Sequence, residues 1–155
     1  MQVGFFKPDV NGKNDNYLTA PDAAFTNTSG TTISVSSLKG KVVFLNFWAT
    51  WCPPCLAEIP GINDLHKQFL NSNDVVFILA DADGDLAAST SFLQTHHFDL
   101  PLYKPVSNIH TDLFAGTLPT TLIINRKGEI VFKETGAANY NTKQFTDFIN
   151  KLVAE

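Results

Sequence analysis

The chain has 155 residues, 44% of them hydrophobic and 12% aromatic, which suits a single domain with a sizeable core. A formal charge of −4 leaves no basic footprint for nucleic acid or an anionic membrane, and no charge run is long enough to act as an interaction tail. No apolar run approaches the ~20 residues needed to cross a bilayer; the longest, Val42 to Ala49, is broken by Asn46.

Met1 to Thr19, with Gly4, Pro8, Gly12 and three asparagines, reads as an irregular arm ahead of a domain over 20–155. Lys7 and Lys13 are not followed by an apolar h-region, so this stretch does not read as a signal peptide. Ala20 to Phe25 and Thr31 to Val35 read as two short strands around the turn Asn27-Thr28-Ser29-Gly30. Ser36 to Lys41 is a connecting turn. Val42 to Phe47 then forms a continuous apolar strand of the kind buried on both faces.

From Pro54 to about Leu70 the spacing of Leu56, Ile59, Ile62, Leu65 and Phe69 predicts a helix with one buried stripe, kinked at Pro60. Val75 to Ala80 is the next buried strand. Asp85 can cap a helix over about Leu86 to His96, and Leu100 to Tyr103 leads to a further helix near Ile109 to Phe114. Thr121 to Asn125 and Ile130 to Lys133 make a hairpin around Arg126-Lys127-Gly128-Glu129. Asn141 is placed to cap a last helix, whose Phe145, Phe148, Ile149 and Leu152 follow helical spacing. The order of elements predicts an α/β domain, a mixed central sheet with helices on both faces.

Cys52 and Cys55 are the only cysteines. They stand where the core strand runs out and a helix begins, two residues apart, close enough to form a disulfide. Bridging so short a loop adds little stability, so the pair reads as chemistry. A helix N-terminus favours a thiolate, which makes Cys52 the candidate nucleophile and Cys55 the thiol that resolves its mixed disulfide. Neither Pro53 nor Pro54 has an amide hydrogen, so the Cys55 amide is the main donor left for the Cys52 sulfur. Moderate thiolate stabilisation, and hence a reductant, is expected. A zinc site would need about four ligands, and His66, His96 and His97 are not spaced to supply them.

Trp51-Cys52-Pro53-Pro54-Cys55, preceded by Val43-Phe44-Leu45-Asn46-Phe47-Trp48-Ala49-Thr50, resembles the thioredoxin superfamily. More narrowly, it is similar to the membrane-anchored or periplasmic thiol–disulfide oxidoreductases of the TlpA/ResA type. The likeness covers about Ala20 to Val153. It includes Leu38-Lys39-Gly40-Lys41 and Gly116-Thr117-Leu118-Pro119-Thr120-Thr121. It implies a thioredoxin-like fold with an N-terminal β-hairpin and a helical insertion around Leu86 to His97. It also implies that Pro119 is a cis-proline beside the disulfide, leaving the Leu118 backbone open to an extended substrate strand. Trp51 could contribute to an apolar docking surface.

Two departures from cytosolic thioredoxins stand out. Asn46 replaces a buried aspartate, and the strand Val75 to Ala80 has no lysine to pair with one. Glu58, three residues after Cys55, matches a functional glutamate of the TlpA/ResA type and is expected to manage the Cys55 proton, with its pKa raised by partial burial. The resemblance implies no cofactor. It implies a site of action outside the cytoplasm, cysteine-bearing substrates such as apocytochromes or their maturation factors, and a membrane thiol carrier as electron source.

Two other readings compete. A thiol peroxidase shares this fold but needs a threonine ahead of the reactive cysteine and an arginine near it; Arg126, the only arginine, lies in the late hairpin. A copper chaperone could use the same cysteine pair without catalysis. Asp81 to Asp85 hints at a calcium loop, but its glycine falls too early and Phe92 stands where the last glutamate should be, so it reads as a turn and helix cap. Trp48 reads as core, and His110 as a surface residue.

Overall fold

The structure is a computed structural model and describes residues 17–155. It is built around strand β4, Val42–Trp48, in which every residue is buried. β4 runs parallel to β5 (Val75–Asp81) on one side and antiparallel to β7 (Thr120–Ile124) on the other. The eight-stranded sheet has the order β1-β8-β7-β4-β5-β6-β2-β3, with β1 at Leu18–Thr19, β2 at Ala24–Asn27, β3 at Thr32–Ser34, β6 at Leu102–Pro105 and β8 at Glu129–Thr135.

Alternation along β4 divides the core in two. Val42, Phe44 and Trp48 face one side with Phe77, Leu79, Ile123 and Phe132. Val43, Leu45 and Phe47 face the other with Ile78, Ala80, Leu122 and Ile124. Helices α1 (Pro53–Gln68), α2 (Leu86–Thr95) and α3 (Lys143–Val153) all place their buried residues on the first side. The expectation of helices on both faces is therefore corrected. The connections β4-α1-β5 and β5-α2-β6 step along the sheet in the same direction, and two right-handed crossovers in one direction land on one face. The opposite face is covered instead by Val35, Leu38, Ile109, Leu113 and Phe114, from a short 3₁₀ turn (Val35–Leu38) and the segment before β7.

Other details differ from the sequence reading. The helix expected near Ile109 to Phe114 is a single turn in which the His110 carbonyl accepts from the amides of Leu113 and Phe114. Its apolar spacing is helical, but one turn is too short to propagate, and Gly116 follows at φ +97°. Leu100 to Tyr103, expected as a lead-in to that helix, instead runs into the strand Leu102–Pro105, which pairs with both β5 and β2. The last helix is capped by Thr142, whose hydroxyl accepts from the Phe145 amide at 3.1 Å, and not by Asn141. α2 ends at Thr95, so His96 is its C-cap and His97 lies beyond it at φ 59°. α1 continues as one helix through Pro60. Of the expected arm, 1–16 lie outside the described residues, while Leu18–Thr19 pair with β8. β2 and β3 pair antiparallel, Phe25 opposite Ile33, around the Asn27–Gly30 turn.

The helical side is dominated by aromatic packing. Phe44 stacks on Phe77 at 4.9 Å and meets Tyr140 and Phe145 edge-on at 5.5 and 6.3 Å. This cluster ties α3 and the segment before it to the middle of β4. Truncating a fully buried phenylalanine here removes both transfer free energy and packing. Phe44→Ala is expected to cost about 3–5 kcal/mol, read as a fall in the urea midpoint of the oxidised protein.

Candidate active site

Trp48, the last residue of β4, is fully buried, and the chain then leaves the sheet through a turn in which the Cys52 amide donates to the Ala49 carbonyl. Cys52 is the N-cap of α1, with extended backbone at φ −100° and ψ 102°. Pro53 and Pro54 occupy the first helical positions, where a missing N–H costs nothing. The Cys55 amide donates to the Cys52 Sγ at 3.3 Å, the contact expected from the proline pair. The two cysteines form a disulfide with Cα atoms 5.3 Å apart. Cys52 keeps 4% exposure and Cys55 none, so Cys52 is the sulfur that a visiting group meets first. Trp51 beside it is 65% exposed.

One turn further along α1, Glu58 is only 3% exposed. Asn46 Nδ2 donates to Glu58 Oε1 at 2.8 Å, and the Ala138 amide donates to Oε2 at 3.1 Å. Desolvation outweighs these bonds and pushes the Glu58 pKa up to about 8, with a smaller contribution from the negative charge of Glu134. Asn46 Nδ2 also donates to Thr121 Oγ1 at 2.9 Å, while Asn46 Oδ1 is buried without a partner. Tyr140 completes the cluster. Burial, and then the charge of Glu58, raise its pKa; its hydroxyl lies against Thr121 without closing a hydrogen bond of good geometry. A carboxyl group that binds its proton near the range of a thiol can exchange protons with one at little cost.

The loop before β7 approaches the same end of β4. Its ladder begins with Thr120 opposite Phe47, and the Leu118–Pro119 bond is cis. The Thr120 hydroxyl donates to the Thr117 carbonyl at 2.6 Å, and the Pro119 carbonyl accepts from the Gly136 amide at 2.9 Å. Pro119 is buried and Leu118 half-buried, just outside the ladder. Cys52, Cys55, Trp51, Leu118 and Pro119 thus all lie at or beyond the C-terminal end of β4, with Glu58 beneath them.

The acidic loop is consumed by structure. Asp81 accepts from the Asp83 amide and the Ser89 hydroxyl, and Asp85 caps α2 through the Ala88 amide. Asp83 accepts from Trp51 Nε1, a tether that the sequence reading missed. It also missed Thr121 and Tyr140 as neighbours of Glu58. The usable signal was parity: Asn46 and Thr121 are polar interruptions of apolar strands, both on the helical side. Arg126 lies at the opposite end of the sheet, its guanidinium donating to the carbonyls of Gly40, Val153 and Glu155. It is therefore not near Cys52, as a peroxidase would require. Among the described residues, no helix is long and apolar enough to cross a membrane.

Comparisons with known proteins agree with this geometry. The Redoxin family matches the chain over residues 15–149. Thiol-disulfide oxidoreductase ResA of Bacillus cereus is 33% identical over 134 residues, 86% of this chain and 76% of that protein. The solution structure of a candidate protein disulfide isomerase from Bacteroides thetaiotaomicron superposes with a TM-score of 0.72 at 30% identity, covering 88% of this chain and 89% of that one. A candidate thiol:disulfide interchange protein DsbE from Chlorobium tepidum gives 0.73 at 22% identity, covering 90% and 98%, and supports the fold. The chain therefore belongs to the redoxin family, among the thioredoxin-fold thiol-disulfide oxidoreductases of the ResA type.

Proposed function

We propose that the protein reduces disulfides of partner proteins by dithiol–disulfide exchange. In the reduced enzyme the Cys52 thiolate attacks one sulfur of the partner disulfide, forming a mixed disulfide and releasing the other sulfur as a thiolate. Cys55 then gives its proton to the Glu58 carboxylate and attacks Cys52 Sγ. This releases the second partner thiolate and leaves the Cys52–Cys55 disulfide, so two electrons pass to the partner. The proton held by Glu58 leaves to the departing thiolate or to solvent. The observation that carries the reading is the N-capping Cys52 sulfur, accepting one backbone hydrogen bond, with Cys55 buried behind it.

Trp51 and the Leu118 backbone at the cis-Pro119 loop would seat an extended segment of the partner, in the manner of strand addition. A single amide donor to Cys52 supports moderate thiolate stabilisation, and so a reductant. The 33% identity to ResA supports the thiol–disulfide exchange itself; the resemblance to the TlpA/ResA type implies work outside the cytoplasm on cysteine-bearing proteins, apocytochromes or their maturation factors among them, with electrons from a membrane thiol carrier.

Glu58 also ties stability to pH. Its proton leaves near 4.5 in the unfolded chain and near 8 in the folded oxidised protein, so between these values the folded state binds more protons. Stability is then full below the unfolded value, falls as pH rises through this window and levels off above it. The total is on the order of a few kcal/mol. Oxidised wild-type protein is expected to have a lower urea midpoint at pH 8 than at pH 5, and Glu58→Gln is expected to lose most of that difference. An equal drop in both would remove the assignment.

For the exchange itself, Cys55→Ser is expected to accumulate a Cys52-linked mixed disulfide with a disulfide-bearing protein such as insulin, while Cys52→Ser forms none. The reduction potential is expected nearer ~−270 mV than ~−120 mV. Trapping through Cys55 instead, or a potential at the oxidising end, would overturn the reading.

A further inference from the structure

Glu58 does not face water: it is 3% exposed, with one oxygen accepting from Asn46 and the other from the Ala138 amide. The polar residues beside it lead outward in one direction. Asn46 in β4 stands opposite Thr121 in β7, and Thr121 stands opposite Glu134 in β8. Directly opposed residues of antiparallel strands have Cβ atoms ~4.5–5.5 Å apart, so these three span roughly 10 Å.

All three share the helical side of the sheet. Phe132, two residues before Glu134, belongs to that core, and Ile123, two after Thr121, does too. Lys133, between Phe132 and Glu134, turns the other way and sends its Nζ to the carbonyls of Thr111 and Asp112. Along this row burial falls from complete at Asn46 and Thr121 to partial at Glu134. A row of polar side chains across a face otherwise filled by phenylalanine, isoleucine and leucine needs a reason, because each member costs desolvation.

The groups facing Glu58 are Asn46 from β4, Cys55 one turn back on α1, Thr121 from β7, Glu134 from β8, and Tyr140 with the Ala138 amide from the segment after β8. None of these carries a positive charge.

The geometry points to Glu134 as the second carboxylate of the site: a positioning residue at the partly exposed end of the row Asn46, Thr121, Glu134, whose charge acts across that row on Glu58. This rests on the reading of Glu58 as the group that takes the Cys55 proton. An ionised Glu134 repels an ionised Glu58 and so favours the neutral acid in the buried position. The Glu58 acid with its buried partners then becomes a store that is filled by Cys55 and tuned from the surface. Asn46 fits either state, since its amide donates to a carboxylate, and its unpartnered Oδ1 could accept from an acid if the amide turned over.

The test is a carboxyl-carbon NMR titration of the oxidised protein, with the Glu58 signal assigned by its loss in Glu58→Gln. In Glu134→Gln the Glu58 midpoint is expected to fall by about 0.5 to 1 pH unit at low ionic strength, and Glu134→Asp is expected to keep most of the wild-type value. Wild-type protein titrated at low and at high salt needs no variant. Its midpoint is expected to fall as salt screens the partly exposed Glu134. An unmoved Glu58 midpoint in Glu134→Gln, or in wild type across the salt range should the variant not fold, would overturn the proposal. The exchange rate against pH separates the two readings. If Glu58→Gln leaves the rate profile unchanged while Glu134→Gln moves the midpoint, the coupling stands and the role of Glu58 in exchange fails. If Glu58→Gln alters the profile and Glu134→Gln moves nothing, the reverse holds.

Discussion

β4 is hydrogen-bonded along both edges and covered on both faces, so neither sliding nor tilting is open to it without breaking two ladders and two cores. What is attached to its C-terminal end inherits that rigidity. Cys52 follows Trp48 by four positions, and the cap geometry of α1 fixes where its sulfur sits relative to the Cys55 amide. The loop carrying Pro119 is held by the same strand from the other side, through Thr120 opposite Phe47. Two segments far apart in sequence are therefore positioned against each other by one rigid body between them. That arrangement keeps a reactive pair at a fixed distance from the backbone that would meet a visiting chain.

The buried carboxyl group runs against this economy of packing. Glu58 is removed from water among apolar side chains, and its neighbours Asn46, Thr121 and Tyr140 are polar groups removed from water as well. Such a cluster is tolerated when its chemistry requires a proton to be held near neutral pH, and it lowers the stability of the folded state over part of the pH range. The aromatic contacts of Phe44, Phe132 and Phe145 beside it offset that loss.

Much of this was legible in the residues. The largely apolar run from Val42 to Phe47, the periodicity of α1 and α3, and the hairpin around Gly128 each carry a strong local signal, and each of these elements forms within a residue or two of where it is expected. The cysteine pair identified its own chemistry, and the proline pair identified the single amide donor. Failures came where local pattern and tertiary context diverge. Ile109, Leu113 and Phe114 have helical spacing because one turn lays them on the sheet, and no further turn follows. Thr142 displaced Asn141 as a cap because helix boundaries shift by a residue with little change in pattern. Which face a helix covers depends on strand order, which no local signal carries. The neighbours of Glu58 come from β4, β7 and the segment after β8, and only the register of those strands brings them together.

The outermost strands of the sheet bear on how such a protein can handle other polypeptides. Among the described residues, the sheet ends in β1 at one margin and β3 at the other, two and three residues long. Stretches so brief offer an incoming extended chain too few free amides and carbonyls to hold it, which guards against self-assembly by edge pairing. An extended chain that meets this molecule is thereby left with few places to pair along the margins of the sheet.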